Sequence, residues 1–335
     1  MAQTIDYEKT RNMTWKAIVK KITAKRLTRL VLSFMSVCMF HPIRFSEPGI
    51  RIKGLTANDI LKELHANNIM LSTKPFKEKC EINVDLLSEW QPSTLEERVL
   101  NVVKGGRWEP DQCHPQFDST IIVPYRNRAS HLERFLQWMH PFLQAQNISY
   151  TIYVIEQLPG KPFNRAKLFN IGFQEAKKLA RHKQCLVFHD VDLLPLNAQN
   201  IYGCSNLPIH LSAFVDTFRF NLPYLDLFGG ALSFSEETFE AVNGFSNSFF
   251  GWGGEDDDFW TNRIAPYTKN LMFRYDASIA KYQMLHHEKE QPAEDRFTKL
   301  EEGHYSGPDE GLNSLNYSVI SSVERDLYTH ILVVV

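Results

Sequence analysis

Two groups of carboxylates stand where the sequence could support metal-assisted chemistry. The acidic run 255–258 (Glu-Asp-Asp-Asp) follows Gly251-Trp252-Gly253-Gly254, and Asp190-Val191-Asp192 closes the apolar run 185–188. Four adjacent negative charges repel one another, so a folded domain keeps them on a solvated face or against a cation or a substrate. The glycines around Trp252 loosen the backbone beside a large aromatic, which is typical of a closing loop, although Trp252 could also be an ordinary core residue.

Three arginines could hold a diphosphate near the second of these groups. Arg126 and Arg128 follow the short apolar stretch 121–123, and Arg165 lies at the start of a helical pattern. Guanidinium groups bind phosphate oxygens in a forked geometry, and a helix N-terminus adds partial positive charge. Any one of these arginines alone is more typical of a surface ion pair. Their grouping near strand and helix ends favours the diphosphate interpretation.

Asp192 and a histidine of the pair His286-His287 are candidates for holding a divalent cation. A carboxylate oxygen suits such a cation, but the pair lacks HExxH or CxxC spacing and would on its own be a surface pair. A metal that stabilises a leaving diphosphate, with a separate carboxylate that deprotonates an acceptor hydroxyl, is the equipment for sugar transfer. If that base and the diphosphate lie on opposite faces of the sugar, the anomeric configuration inverts.

Alternating strand and helix patterns position these groups. The sequence predicts a strand at 121–123 ended by Pro124, a helix at 131–140, a strand at 150–155, a helix from Asn164 to about Arg181 and a strand at 185–189. This alternation indicates an α/β fold with a mainly parallel central sheet. Ligands of such sheets bind beyond the carboxyl ends of the strands, so the arginines and Asp190-Val191-Asp192 are expected on one rim.

Composition limits the class of protein. The chain has 335 residues, of which 43% are hydrophobic, enough for one large domain or two small ones with a real core. The formal net charge of −2 gives no basic face for phosphate backbones, so nucleic acid is not an expected partner.

The N-terminal region predicts a membrane anchor. Basic residues crowd the tail 1–29, and the charge-free stretch 30–43 follows it. At about 1.5 Å per residue this stretch covers roughly 21 Å of a hydrocarbon core of about 30 Å, so it is a short span unless flanking Lys and Arg snorkel. A cleaved signal peptide ending near Ser36-Val37-Cys38 is the alternative. We expect a basic cytoplasmic tail at 1–29, a signal anchor at 30–43, a stem and domain approach at 44–105, and a catalytic domain at 106–335.

Four cysteines lie beyond the apolar stretch, namely Cys80, Cys113, Cys185 and Cys204. In an oxidising compartment they could form two disulfides, and spacing alone leaves three pairings open. Two glycosylation sequons, at Asn147 and Asn316, are weakly consistent with that compartment.

Six motifs in fixed order resemble the β1,4-galactosyltransferase family, glycosyltransferase family 7. They are Val123-Pro124-Tyr125-Arg126-Asn127-Arg128, Phe163-Asn164-Arg165-Ala166-Lys167-Leu168, Asp190-Val191-Asp192, Phe228-Gly229-Gly230, the run 251–258 and Gly311-Leu312-Asn313-Ser314-Leu315. The resemblance covers roughly two thirds of the chain, from about Gly105 onward. It implies a GT-A nucleotide-sugar transferase fold, Mn²⁺ and a UDP-sugar donor. It also implies a single-pass type II protein of the Golgi membrane with a luminal catalytic domain.

The resemblance assigns roles to individual residues. The implied metal ligands are Asp192, Met284 and His287, although a soft thioether is a ligand that physical chemistry alone would not choose. Asp256 matches the catalytic base, with Glu255 beside it as the second catalytic candidate. The implied donor-binding residues are Pro124, Arg126, Arg128, Arg165, Asp190, Val191, Leu227 and Trp252. The implied acceptor-binding residues are Tyr224, Asp256, Asp257, Arg296, Phe297 and Leu300. The implied disulfides are Cys80–Cys113 and Cys185–Cys204.

One position departs from the galactose-transferring members. They carry Tyr directly before Phe-Gly-Gly, where this chain has Leu227. In the family that phenol faces the C2 substituent of the donor sugar, and relatives with Ile or Leu accept N-acetylgalactosamine. The sequence therefore predicts an inverting β1,4-N-acetylgalactosaminyltransferase that uses UDP-GalNAc and a GlcNAc-terminated glycan on protein or lipid. A galactosyltransferase and a catalytically silent transferase-like scaffold remain as alternatives.

Overall fold

The computed structural model describes residues 51–56, 58, 78–91, 101–179, 184–288, 291–303 and 309–335. The predicted tail and anchor, residues 1–43, lie outside this set. Within the described part of the chain, no helix is long and apolar enough to cross a membrane.

Two sheets organise the described residues. In chain order the strands are β1 (Arg51–Leu55), β2 (Arg107–Trp108), β3 (Asp118–Tyr125), β4 (Ser149–Gln157), β5 (Cys185–His189), β6 (Leu193–Pro195), β7 (Ile209–His210), β8 (Phe214–Val215), β9 (Ala231–Ser235), β10 (Leu271–Tyr275), β11 (Lys281–Met284), β12 (Ser318–Glu324) and β13 (Thr329–Val334). The large sheet has the order β1-β10-β7-β9-β5-β3-β4-β13-β12, with β2 also paired to β4, and the small sheet has the order β6-β11-β8.

The large sheet is mixed rather than mainly parallel. Strands β5, β3, β4 and β13 run parallel, as the alternating pattern predicts, and so do β1, β10 and β7. Strand β9 is antiparallel to both of its neighbours, β5 and β7, and therefore separates the two parallel groups. The α/β prediction is confirmed, and the pairs β12–β13 and β2–β4 are antiparallel as well.

Strand β3 continues past the proline that was predicted to end it. Its pairing with β5 stops at Ile122, whereas its pairing with β4 continues to Tyr125. Pro124 therefore lies where β3 has a single neighbour, which is the edge-like position that tolerates a missing N–H.

Helices cover both faces of the large sheet. Their bounds are α1 (Val84–Ser88), α2 (Ala129–Ala145), α3 (Arg165–Leu179), α4 (Glu236–Ala241), α5 (Glu255–Asp258), α6 (Ala265–Thr268) and α7 (Arg296–Gly303), with a π-helical turn at Phe259–Ile264 between α5 and α6. The predicted helices at 131–140 and 164–181 correspond to α2 and α3. Asn164 is the cap of α3 rather than its first residue, because its Oδ1 accepts a hydrogen bond from the Lys167 amide at 2.8 Å.

Two apolar layers fix these helices on the sheet. Ile121 and Val123 of β3 face the layer that contains Phe135 of α2, while Ile122 faces the layer that contains Phe169 of α3. The alternation along β3 follows the two-residue period of a strand. This packing places the N-terminus of α3 beside the carboxyl ends of β3 and β5, where the candidate site lies.

Residues that the sequence assigned to the stem also join this fold. Strand β1 pairs in parallel with β10, and a Cys80–Cys113 disulfide connects the segment around α1 to the residues that precede β3. The second disulfide joins Cys185 to Cys204. Both pairings are those that the family resemblance implied.

Candidate active site

Arg165 connects the two carboxylate groups that the sequence singled out. As the first residue of α3 it donates from Nε to Asp190 Oδ1 at 2.5 Å, and its Nη1 lies 3.4 Å from Glu255 Oε1. Its Nη2 donates to the Gly230 carbonyl at 3.2 Å. Burial works against the charged guanidinium, but Asp190 and Glu255 outweigh it and raise the pKa of Arg165. A single cation thus joins α3, β5 and α5 at one point.

Asp192 and His287 form a pair that fits a divalent cation. Their Oδ2 and Nε2 atoms lie 3.0 Å apart, and His287 Nδ1 lies 2.7 Å from the Glu288 carbonyl oxygen. Because a carbonyl only accepts, Nδ1 carries the ring proton, and in a neutral ring the Nε2 lone pair then faces the carboxylate. Two acceptors at this distance need a proton or a cation between them. A ring held through its other nitrogen is the usual arrangement of a metal-binding histidine.

Met284 approaches the same place through the small sheet. It ends β11 opposite Leu193, the residue after Asp192, and the Leu285 amide donates to the Asp192 carbonyl at 2.7 Å. The described residues contain no group of three or more His, Cys, Asp or Glu side chains that could hold a metal ion. Asp192 and His287 offer an oxygen and a nitrogen donor, which suit Mn²⁺. Met284 is the position at which the resemblance implies a third ligand.

The environment of Asp192 is strongly anionic. Burial and the charge of Asp190 raise the pKa of the Asp192 carboxyl to about 6, while His287 acts in the opposite direction. His131, on α2, adds to the surroundings, since its Nε2 lies 3.1 Å from the His286 carbonyl oxygen and its ring lies 6.3 Å from that of His287. Sequence reasoning missed His131, and no local motif marks it.

The acidic run forms α5 and divides into four separate environments. Asp256 lies so close to Gly229 that a Cβ built there would meet its Oδ2 at 2.3 Å. Asp257 accepts a hydrogen bond from the Tyr224 hydroxyl at 2.8 Å, and Asp258 is buried, accepting from Asn262 at 2.7 Å. Neither a solvated face nor a single cation explains the whole run.

Glu255 has a strongly raised pKa. Burial and the neighbouring Asp256 raise the pKa of its carboxyl to about 7, against the opposing charge of Arg165. Its Oε2 is buried without a hydrogen-bond partner among the described residues. A carboxyl with these properties suits either proton transfer or a hydrogen bond to a substrate hydroxyl.

The segment 227–230 lies directly against α5. Leu227 is half-buried, between the exposed residues 223–226 and the fully buried Phe228.

Ser212 Oγ donates to the Gly229 carbonyl at 3.2 Å and accepts from the Ala231 amide at 2.7 Å. Gly230 has φ +76, and a Cβ there would lie 2.3 Å from Ser212 Oγ, so both its backbone conformation and its surroundings require glycine. Ser212 is a further residue that the sequence did not reveal.

The remaining predicted donor residues surround this centre. Pro124 lies at the carboxyl end of β3. Val191 is buried between Asp190 and Asp192, which follow β5. Arg126 donates to the Lys161 carbonyl at 2.8 Å and lies over the Phe163 ring at 5.1 Å. Burial lowers the pKa of His131, and the charge of Arg128 acts in the same direction. The structure therefore does not bring Arg126 into the ion-pair group of Arg165.

Exposed aromatics mark the predicted acceptor side. Trp252 is 56% exposed, and its carbonyl accepts from the Ala293 amide at 3.0 Å. Helix α7 packs on α5 and carries the other predicted acceptor residues. Phe297 is 63% exposed with the Arg296 guanidinium over its ring at 4.5 Å, and Leu300 is half-buried. These side chains and Tyr224 offer apolar surface to a sugar ring.

Comparison with known proteins identifies the family. Residues 72–205 match the model of the N-terminal region of glycosyl transferase group 7, and residues 209–288 match a model described as the N-terminal domain of galactosyltransferase. The chain belongs to glycosyltransferase family 7. The described fold is accordingly the GT-A fold.

Relatives in family 7 include β1,4-galactosyltransferase 1 of Bos taurus, 42% identical over 71% of this chain and 60% of that protein. Another is β1,4-galactosyltransferase 6 of Rattus norvegicus, 40% identical over 75% of this chain and 65% of that protein. The chain thus spans about three fifths of the length of these relatives.

Among solved structures, the catalytic domain of Drosophila β1,4-galactosyltransferase 7 in complex with xylobiose matches with a TM-score of 0.55 and 27% identity. The match covers 65% of this chain and 94% of the Drosophila chain. A mutant of the same Drosophila protein, in complex with manganese, UDP-Gal and xylobiose, matches equally well.

Proposed function

We propose that this chain is an inverting β1,4-N-acetylgalactosaminyltransferase, which moves GalNAc from UDP-GalNAc to O4 of a terminal GlcNAc on glycoprotein or glycolipid. The observation that carries the proposal is the contact between the Leu227-to-Gly230 segment and the Asp256 carboxylate. Leu227 is the position that distinguishes this chain from the galactose-transferring members. It lies two residues before Gly229, the glycine beside the candidate base Asp256. Family membership supports the reaction class.

We assign a residue to each group that sugar transfer needs. Asp192, Met284 and His287 would hold Mn²⁺, which when bound neutralises charge on the leaving diphosphate. Arg165 is placed to bind phosphate oxygens by exchanging its carboxylate partners for them. Asp256 would accept the proton of the GlcNAc O4 hydroxyl as O4 attacks the anomeric carbon from the face opposite the diphosphate. Asp257 and Tyr224 would orient the acceptor ring.

The expected location is the Golgi membrane, with the catalytic domain in the lumen. The two disulfides support an oxidising compartment. The basic tail and the apolar stretch 30–43 remain the basis for the type II anchor.

Donor choice is tested by replacing Leu227. Leu227 is smaller than tyrosine and offers no phenol oxygen, which leaves room for an acetamido group. The unchanged protein is expected to favour UDP-GalNAc over UDP-Gal in kcat/KM by about tenfold to a few hundredfold, the usual range for one pocket contact. Leu227→Tyr fills that space and is expected to shift the ratio toward UDP-Gal.

Both donors are measured with both proteins on a GlcNAc acceptor. Leu225→Tyr, an exposed position in the preceding loop, is the matched control and is expected to leave the ratio unchanged. The names of the curated relatives favour UDP-Gal as the second candidate, so a protein that prefers UDP-Gal would refute the donor assignment. Binding of UDP without turnover of either donor would favour the scaffold alternative.

Metal binding is tested at His287. His287→Ala removes one of three protein ligands, so the affinity for Mn²⁺, followed by electron paramagnetic resonance, is expected to fall at least about tenfold. His286→Ala is the matched control, because the hydrogen-bond contact of His286 near the site is made by its backbone carbonyl, which the substitution keeps. Equal Mn²⁺ affinity in the His287 variant and the unchanged protein would remove His287 from the ligand set.

A further inference from the structure

A buried arginine lies directly behind residues 227–230, the donor segment. Arg274, on β10, is 2% exposed, and its Nη2 donates to the Leu227 carbonyl oxygen at 2.5 Å. Its Nε donates to His210 Nδ1 at 3.0 Å, and the two residues are paired neighbours on β10 and β7. Both of these hydrogen bonds go to uncharged groups. The guanidinium therefore joins two sheet strands to the backbone of the donor segment.

The arrangement is costly for a charged group. Burial lowers the pKa of Arg274 to about 10, although the charge of the exposed Asp226 acts in the opposite direction. The Nη1 atom is buried with no hydrogen-bond partner among the described residues. Buried charges of this kind contribute little to stability, and apolar residues of similar volume often replace them without loss. A stabilising role in the core is therefore a poor explanation for Arg274.

His210 holds Arg274 in one orientation. Because His210 Nδ1 accepts from Arg274, the ring proton is on Nε2, which is buried near the Gly229 backbone but has no hydrogen-bond partner among the described residues. Burial and the Arg274 charge lower the pKa of His210 well below its usual range, so the ring stays neutral. The edge-to-face contact of His210 with Phe228, at 5.9 Å between centroids, connects the pair to the same segment.

The backbone at Leu227 is fixed on both sides by these contacts. Its amide donates to the Tyr224 carbonyl at 3.3 Å, and its carbonyl accepts from Arg274. The preceding residues 223–226 are exposed, so Leu227 is the point at which the loop enters the core. The bond from Arg274 therefore restrains the peptide that follows the Leu227 side chain.

We propose that Arg274, oriented by His210, is a positioning residue that sets the donor preference of this enzyme by fixing the peptide at Leu227. The inference rests on the proposed function, because it concerns how the same pocket reads the C2 substituent. Loss of the bond to the Leu227 carbonyl lets the side chain move, so the pocket distinguishes the two donors less well.

The test is the kcat/KM ratio for UDP-GalNAc and UDP-Gal, measured with Arg274→Met in the full chain. The ratio is expected to move toward unity by about threefold to tenfold, a fraction of the roughly 10–200-fold that one pocket contact contributes. Affinity for UDP with Mn²⁺ is expected to stay unchanged. An unmoved ratio, with both donors slowed equally, would overturn the proposal and assign Arg274 a purely structural role.

A matched control and a double-mutant cycle separate positioning from loss of stability. Gln146 is also fully buried and donates to the backbone carbonyls of Ala198 and Asn200, so Gln146→Leu removes comparable bonds away from the donor segment. It is expected to leave the ratio unchanged. In a Leu227→Ala background, Arg274→Met is expected to have no further effect on the ratio, because the side chain through which it acts is absent. If the effects of Leu227→Ala and Arg274→Met on the ratio simply add, Arg274 does not act through the Leu227 side chain.

Two milder variants keep the proposal testable if Arg274→Met does not fold. Arg274→Lys retains the charge but cannot form both bonds, and His210→Gln removes the ring that orients the guanidinium. Each is expected to shift the ratio in the same direction, and two folded variants with an unmoved ratio would overturn the proposal. If the unchanged protein prefers UDP-Gal, the donor assignment is refuted but the role of Arg274 is still tested. The kcat/KM ratio of each Arg274 variant is then compared with the ratio of the unchanged protein.

Discussion

Replacing Asp256 with asparagine is expected to lower kcat by about 10² to 10⁴, the usual contribution of a positioned general base. The variant retains the size and shape of the side chain but cannot take the proton of the acceptor hydroxyl. The Asp257 amide donates to Asp256 Oδ1 at 3.0 Å, while Oδ2 lies against Gly229 at the rim of the site. UDP and Mn²⁺ binding are expected to persist, because neither depends on this carboxylate.

Steady-state kinetics and UDP titration with the same preparation decide the matter. Asp258→Asn is the matched control within the acidic run, since Asp258 is buried away from the site against Asn262 and Arg263. It is expected to affect stability more than kcat. If the Asp256 variant keeps most of its activity, the base lies elsewhere, and Glu255, with its pKa of about 7, is the next residue to replace.

Gly229→Ala is expected to reduce kcat by about 10², because a displacement of about 1 Å at a reacting group has an effect of this order. The new methyl would lie 2.3 Å from Asp256 Oδ2, so either the carboxylate or the donor segment must move. Gly229 does not have positive φ, so backbone strain is not the cause.

The control is Gly160→Ala, at a turn where an added Cβ meets nothing within 4 Å. Its φ of +125 makes the substitution mildly strained, and a loss of stability without a loss of kcat is expected there. Normal kcat in the Gly229 variant would contradict the prediction, because it would show that the clash is relieved without disturbing the reacting groups.

The sequence predicted most of what depends on local pattern. Hydrophobic periodicity located strands β3, β4 and β5 and helices α2 and α3, and the rule on carboxyl ends predicted the place beyond β5 where Asp190 meets Arg165. The disulfide pairs required the family resemblance, because cysteine spacing left three pairings open. Boundaries failed where tertiary context decided them, as at Pro124, which has only one neighbouring strand.

Local sequence patterns could not predict contacts between residues that are far apart in the sequence. The ion pairs of Arg165 join residues 25 and 90 positions apart, and the bond from Arg274 to Leu227 joins residues 47 apart. A strand that reads Leu-Met-Phe-Arg-Tyr does not indicate that its arginine is buried. The same applies to Ser212, whose role arises only where β9 returns antiparallel to β7.

Strand β1 has a consequence for the boundary of the catalytic unit. Gly54 pairs with Arg274 and Leu55 with Tyr275, so β1 covers the outer edge of the strand that supports the donor segment. A shortened protein that starts at the first family motif would leave the backbone groups of β10 open to pairing with another molecule. We therefore expect that a stably folded catalytic unit includes β1, which lies upstream of every motif that identifies the family.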